Sequence, residues 1–442
     1  MFYDLPNPRK SNPYDLWPQG RGSLPCHDAE GKVIDFPVIS RSALVTGKTG
    51  VGKSFFTKAC IEERLRNDPS VFCVFFEIKP GDFSNHFLRA GDKMIGPGPC
   101  LQDKQRFRWN LVKEIRQTQD WEGELNQLGS ILFEDLLADS RNRLWAEGAR
   151  QTFIAFVRTT LYRYKEPPPN AVLIRGMKNM SRLDFLSYLS WHPKNRSMLR
   201  DYFEYDPDHA QGYVLPKKAV DIFFFLQDVL GRFTDDYMSE DGTDTIADFL
   251  GGQYGNRLFL AYDYAQKDSH TSFFRYFLKK IITEKLSYHS NRQQPVWMIL
   301  DEICDLDGGD LGLVPGLTLG REYGLDIWLA TQSISKLHRI LPPNQSDHAL
   351  MAALSGLSVL ICFQPGDGYT IETYQQLFGK KRVQTMSMPL SRFDKAIVST
   401  ELVPMVGDED FASLGMGEFY AKLYSAEPVR LTYRPELKKE VP

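Results

Sequence analysis

Residues 47 to 54 read Gly47-Lys48-Thr49-Gly50-Val51-Gly52-Lys53-Ser54, a GxxxxGK[ST] spacing. Glycines so placed let the backbone curl until successive N–H groups and the start of the following helix face an anion. In such a cradle Lys53 reaches the β and γ oxygens of a triphosphate and Ser54 coordinates magnesium, which implies ATP and Mg²⁺ as ligands. The context fits: the apolar Ala43-Leu44-Val45 precedes the loop, and helical text runs from Lys53 to about Arg66.

A second constellation closes the apolar run Val296-Trp297-Met298-Ile299-Leu300 with Asp301-Glu302. Taken alone, an acidic pair at a strand end is a solvated turn. Beside a phosphate loop, Asp301 can hold the magnesium shell and Glu302 can orient and deprotonate the attacking water. The run Leu329-Ala330-Thr331-Gln332-Ser333 is again apolar with a polar end, and Gln332 reads as a γ-phosphate sensor or as a plain strand cap. Between the two runs stands Gly320-Arg321-Glu322-Tyr323-Gly324-Leu325. Arg321 is either a surface arginine at a helix end or a finger supplied to a neighbouring subunit, a device worth about 10³–10⁵ in rate.

These groups need a sheet to carry them. Val71–Phe76 is a continuous apolar run, the second strand of a βαβ unit and buried on both faces. From about 141 to 254 apolar residues recur at helical spacing (Leu144, Ala149, Phe153, Phe156, Val157, Leu161), interrupted by Pro167-Pro168-Pro169. Strand signal returns at Leu258–Ala261, and a long helix is predicted from about Thr271 to Ser287. The expected architecture is an α/β motor domain over 36–140 and 255–442, with a mostly helical domain inserted at 141–254. Residues 1–35, rich in Pro, Gly, Asn and Asp, read as an extended arm or small cap. The run Phe223-Phe224-Phe225 near Leu226, Val229 and Leu230 reads as core packing, and Tyr202, Phe203 and Tyr205 as supports of the helical insert.

Composition bounds the function. At 442 residues the chain has ample material for a core, and a net charge of -3 excludes an overall basic excess for nucleic acid. A ring with positive charge only on its pore face remains compatible with DNA. Six cysteines (Cys26, Cys60, Cys73, Cys100, Cys304, Cys362) form no CxxC pair, which fits a reducing cytosol and argues against zinc or a disulfide framework. The N-terminus does not read as a signal peptide, and the longest apolar runs, Val71–Phe76 and Ile222–Leu226, fall far below the ~18 residues of a membrane span. A cytoplasmic protein is expected, reaching a membrane through a partner. Lys380-Lys381-Arg382 is the densest basic cluster and reads as solvated surface.

The order of phosphate loop, long gap, Asp-Glu, Gly-Arg-x-x-Gly-Leu and Ala-Thr-Gln-Ser resembles type IV coupling proteins and, more distantly, the FtsK and HerA translocases. Glu77-Ile78-Lys79-Pro80-Gly81-Asp82 looks like that family's Asp-Pro-Lys-Gly-Asp segment, with Glu77 in place of the familiar Asp. Arg108-Trp109-Asn110 looks like its Trp-Asn-Pro, and Trp145-Ala146-Glu147-Gly148-Ala149-Arg150 like the start of its all-helical domain. The likeness runs over about 40–435. It implies a RecA-like motor in a hexameric ring, carrying DNA or a DNA–protein conjugate to a membrane-bound secretion channel. The family's N-terminal transmembrane helices have no counterpart here, which implies a soluble or recruited relative. Two other readings stay open: a protein-secretion ATPase or soluble DNA-processing motor, and a nucleotide-gated adaptor that does no processive work.

Overall fold

Apolar runs at 43–46, 72–77, 257–261, 296–301, 325–331 and 359–363 are buried almost residue for residue. Strands covered on both faces have that property, and it is why their sequences do not alternate. The computed structural model describes residues 2–4, 14, 17, 22–38, 41–97, 103–211, 213–233, 238, 242–287, 294–306, 309–341, 347–387 and 397–434. In chain order its strands are β1 (Phe2–Asp4), β2 (Ser23–Asp28), β3 (Val33–Pro37), β4 (Ala43–Thr46), β5 (Phe72–Glu77), β6 (Lys93–Ile95) and β7 (Arg257–Ala261). They continue with β8 (Val296–Asp301), β9 (Leu325–Thr331), β10 (Val359–Phe363), β11 (Lys380–Ser387), β12 (Ile397–Pro404), β13 (Glu418–Leu423) and β14 (Val429–Thr432). The chain divides into two compact units, one of residues 1–74 and 285–442, the other of 75–284.

In the first unit β10, β4, β9 and β8 lie side by side in parallel. Beyond β10 the sheet turns antiparallel through β13, β14, β2 and β3. Helix α1 (Lys53–Asn67) leaves β4 through the glycine-rich loop. A separate three-stranded sheet has the order β1-β11-β12, and Lys380, Lys381 and Arg382 stand exposed on β11. Strands β1 and β2 and the start of β3 thus fall within the stretch read as an arm or cap. Leu24, Cys26, Ile34 and Phe36 point inward on β2 and β3 while their neighbours face out. Pro25 obscures that alternation, and its position, opposite β3 but beyond the β14 pairing, needs no donor on the open side.

In the second unit β6 and β7 pair in parallel. The helices here are α2 (Ser84–Phe87), α3 (Leu111–Gln117), α4 (Trp121–Leu132), α5 (Glu134–Ala138), α6 (Arg143–Arg163), α7 (Asn170–Asn179), α8 (Arg182–Ser190), α9 (Arg196–Phe203), α10 (Lys217–Gly231), α11 (Ile246–Leu250) and the long α12 (Lys267–Leu286), which ends just beyond this unit. After the short α2, successive helices begin at Leu111, ahead of 141. Two buried acids, Glu114 on α3 and Glu124 on α4, break the apolar period there. Glu114 accepts from Trp109 Nε1 and Ile246 N, and Glu124 pairs with Lys280 at 2.9 Å. Long helix α6 packs against α4, α8 and α10. Of the aromatic run, Phe223 and Leu226 are buried while Phe224 is 70% exposed, so only part of it is core; Phe203 and Tyr205 are buried. Among the described residues no helix is long and apolar enough to cross a membrane.

Candidate nucleotide-binding site

Parallel strands deliver their following residues to one edge, so register decides what meets there. Thr46 pairs with both Thr331 and Cys362, and Asp301 pairs with Ala330. The loop 47–54, Glu302, Gln332 and Gln364 consequently leave the sheet at the same carboxyl-terminal edge, the place where open α/β sheets bind ligands.

The loop's shape comes from its glycines. Gly47, Gly50 and Gly52 have φ of 151°, 82° and 106°, and a Cβ at Gly47 would lie 2.6 Å from Phe363 Cβ. Two backbone bonds brace the loop: Lys48 N–H donates to Gln364 O (2.8 Å) and Gly417 N–H donates to Val51 O (2.9 Å). Gly52 caps α1 without a side chain, leaving the first-turn N–H groups to an outside acceptor. Lys48, Thr49, Gly50 and Ser54 are exposed along the rim. A phosphate chain fits this cradle, and Ser54 on the first turn with Asp301 at the end of β8 could hold magnesium.

Inside the rim Lys53 is buried, donating to Gly47 O and to Lys48 O (3.3 Å), with Glu302 Oε1 3.9 Å from Nζ. Glu302 is also buried and sits in the left-handed region at φ 49°, a costly conformation for a non-glycine and one found at working sites. Its N–H donates to Ala330 O (2.8 Å), and its Oε2 accepts from the Gln332 N–H (3.3 Å). Burial pushes the Glu302 carboxyl above its ordinary value of 4.5, against the opposing pull of Lys53 and the Gln332 N–H. Burial likewise lowers the Lys53 ammonium, while Glu302 and Asp301 act to raise it.

The structure thus brings Lys53, Asp301, Glu302 and Gln332 together with the loop, with Gln332 contributing its main chain. It does not bring Arg321 there. Arg321 is exposed on a 3₁₀ turn, Gly320–Tyr323, ahead of β9. Seven residues of β9 separate it from Gln332, about 20 Å at strand rise, so it lies at the opposite edge of its own sheet. A residue outside the motifs does reach the site: Lys336, on the 3₁₀ segment Ile334–Ile340, acts electrostatically on both Lys53 and Glu302. Its signal in the sequence is a lone cation four residues past Gln332.

Glu77 is buried and collects Gly81 N–H (3.1 Å), Phe83 N–H (2.6 Å), Ser84 N–H (3.1 Å) and Ser84 Oγ (2.7 Å). Its carboxylate organises the turn that follows β5, a task for which the extra methylene over Asp is an adequate reach.

The family model of the type IV secretion-system coupling protein DNA-binding domain matches residues 34–400. The chain belongs to this family. Coupling-protein structures share its fold: the unbound monoclinic form of the bacterial conjugative coupling protein TrwBdeltaN70 aligns with a TM-score of 0.67 at 17% identity, over 96% of this chain and 90% of that one. TrwB with the ATP analogue ADPNP gives 0.65 at 17%, over 96% and 91%. VirB4 of Thermoanaerobacter pseudethanolicus gives 0.51 at 13%, over 96% and 98%. No curated protein matches this coupling protein by sequence.

Proposed function

We propose that this coupling protein is an ATP-driven motor that works as a ring and moves DNA, or a DNA–protein conjugate, towards a secretion channel. The observation that carries the reading is the convergence of the phosphate loop, Lys53, Glu302 and the Gln332 N–H on one sheet edge. A nucleotide-binding switch has no need of a buried carboxylate held beside that loop; hydrolysis does.

In this reading the loop N–H groups and Lys53 bind and orient the phosphates. Magnesium, held by Ser54 and Asp301, supplies neutralisation of phosphate charge. Glu302 takes a proton from the attacking water; its raised basicity suits it to that work near neutral pH, and the Gln332 N–H fixes which oxygen faces the water. Arg321, about 20 Å from its own Gln332 along β9, serves the site of a neighbouring subunit, so turnover needs a ring. DNA as cargo rests on the family, and the channel partner would supply the membrane.

The test is ATP turnover with and without DNA, beside equilibrium nucleotide binding. Wild type is stimulated by DNA; Glu302→Gln binds ATP but turns over at least about 100-fold more slowly, the usual value of a positioned base. Wild-type turnover in Glu302→Gln removes the residue from the mechanism, and turnover indifferent to DNA removes DNA as cargo.

A further inference from the structure

The surface of α6 carries chemistry that the nucleotide site does not use. Gln151, Ala155, Arg158 and Tyr162 recur three to four residues apart and so share one face of this helix. Two concavities open along that face. One, of about 330 Å³, is lined by Arg116, Trp121, Arg158, Leu161, Tyr162 and His192. The other, of about 490 Å³, includes Gln151, Lys194, Ser197 and Tyr202. Arg158 belongs to both, so they form one groove with a cation at its middle and aromatic rings on either side.

The groove walls are held in place. Arg158 donates to Asn195 Oδ1 (2.9 Å), and buried Asn195 donates in turn to Ala155 O and Leu189 O. The Arg158 Nε has no hydrogen-bond partner among the described residues. Arg116 is fixed by the carbonyls of Leu161, Tyr164 and Lys165. Tyr162 is 64% exposed and meets the His192 ring edge-on at 5.3 Å; Trp191, 58% exposed next to it, carries the Arg163 guanidinium 4.3 Å from its ring centre. Burial, with Arg158 adding to it, lowers the His192 pKa, so this ring is a neutral face at physiological pH.

We propose that this groove binds single-stranded DNA, with bases lying on Tyr162 and Trp121 and a phosphate at Arg158 and Lys194. The inference rests on the DNA-cargo reading above and adds a second, ATP-independent contact. Aromatic faces that alternate with guanidinium groups are what sequence-tolerant strand binding uses. The distance from Gln151 to Tyr162 is eleven helical residues, about 16 Å, or about five stacked nucleotides at 3.4 Å each. Charge argues against an acidic peptide as occupant. Arg116, Arg158 and Lys194 are opposed by Asp201 in the second concavity and by Glu122, which pairs with Lys194 at 2.5 Å, so the excess is a single positive charge. Stacking rather than phosphate contact must then dominate, and an acidic peptide offers no planar faces.

The experiment uses the full chain without nucleotide. Binding of a labelled fifteen-residue oligothymidylate and of an abasic strand of equal length is followed by anisotropy, and iodouracil-substituted strands are photocrosslinked and the adducts mapped. Tyr162→Ala, a change at an exposed ring, weakens oligothymidylate binding about 5- to 100-fold, the range of one lost base stack, while Tyr162→Phe restores it. The abasic strand binds more weakly than oligothymidylate and is indifferent to Tyr162→Ala. Lys194→Ala lowers the slope of log affinity against log salt by about 0.7, one phosphate's share. Adducts fall on the α6 face or on His192. Unchanged affinity in Tyr162→Ala, adducts mapping elsewhere, or polyglutamate competing as well as oligothymidylate each overturns the groove. DNA-stimulated ATP turnover in the same preparations keeps the two readings apart: stimulation with a failed groove test removes this site alone, and absence of stimulation in wild type removes DNA as the motor's cargo.

Discussion

Glu302 and Lys53 face each other at 3.9 Å, both buried, and each is shifted towards its neutral form. In the proposed mechanism the base must be ionised and the ammonium charged for turnover, so the pH–rate profile should fall at low pH through the raised Glu302 value and at high pH through the lowered Lys53 value. Lys336 acts on both limbs in the same direction, because its charge lowers the pKa of Glu302 and of Lys53 alike. In Lys336→Met both values rise, and the whole bell should move to higher pH with its width nearly kept; a profile identical to wild type removes Lys336 from the site. The motif residues of this site were legible because each stands at a fixed spacing from a strand end. Lys336 was not, since it enters from a 3₁₀ segment with no spacing rule, and the contribution of Gln332 was legible in place but not in kind, its main chain rather than its amide meeting Glu302.

At the scale of elements, the helix behind the phosphate loop is anchored by an unusual core residue. Arg64, buried on α1, lies 3.6 Å from buried Asp326 of β9 and 4.2 Å above the Trp297 ring of β8. Removing the acid leaves an uncompensated charge, which costs about 3–5 kcal/mol, whereas replacing both ions by apolar groups costs far less. Asp326→Ala should therefore lower the denaturant midpoint of the motor unit strongly and the Arg64→Met/Asp326→Leu pair only slightly; equal losses would show that Arg64 acts through packing alone. The same physics limited what could be read beforehand. Strands with no polar break before their ends, such as β4, β5 and β8, were plain in the sequence. An element with a partnered polar group inside, such as α3 with Glu114, was masked because its partner, the Ile246 N–H, is distant in the chain, and Pro25 hid the alternation of β2.

For the whole molecule, the proposed role of Arg321, which lies at the far edge of its own sheet, makes a ring the expected unit of activity. Arg321→Ala should be inactive although its phosphate loop is intact, and so should Lys53→Ala. Mixing the two should recover part of the hydrolysis, since some interfaces then join an intact loop to an intact arginine; mixed rings that stay dead would confine Arg321 to a structural role. Specific activity should also rise with protein concentration. The brace on the phosphate loop has a different kind of consequence. Lys48 and Gly417 donate, and Gln364 and Val51 accept, through main-chain atoms, and of these four positions 417 needs a glycine, since a Cβ there would stand 2.5 Å from Tyr433 O. Such a brace is invisible to mutation at almost every position it touches. Side chains at 48, 51 and 364 can change while these main-chain bonds persist. The loop's support in this chain is thus carried by atoms that every non-proline residue possesses, while the chemistry it holds depends on particular side chains.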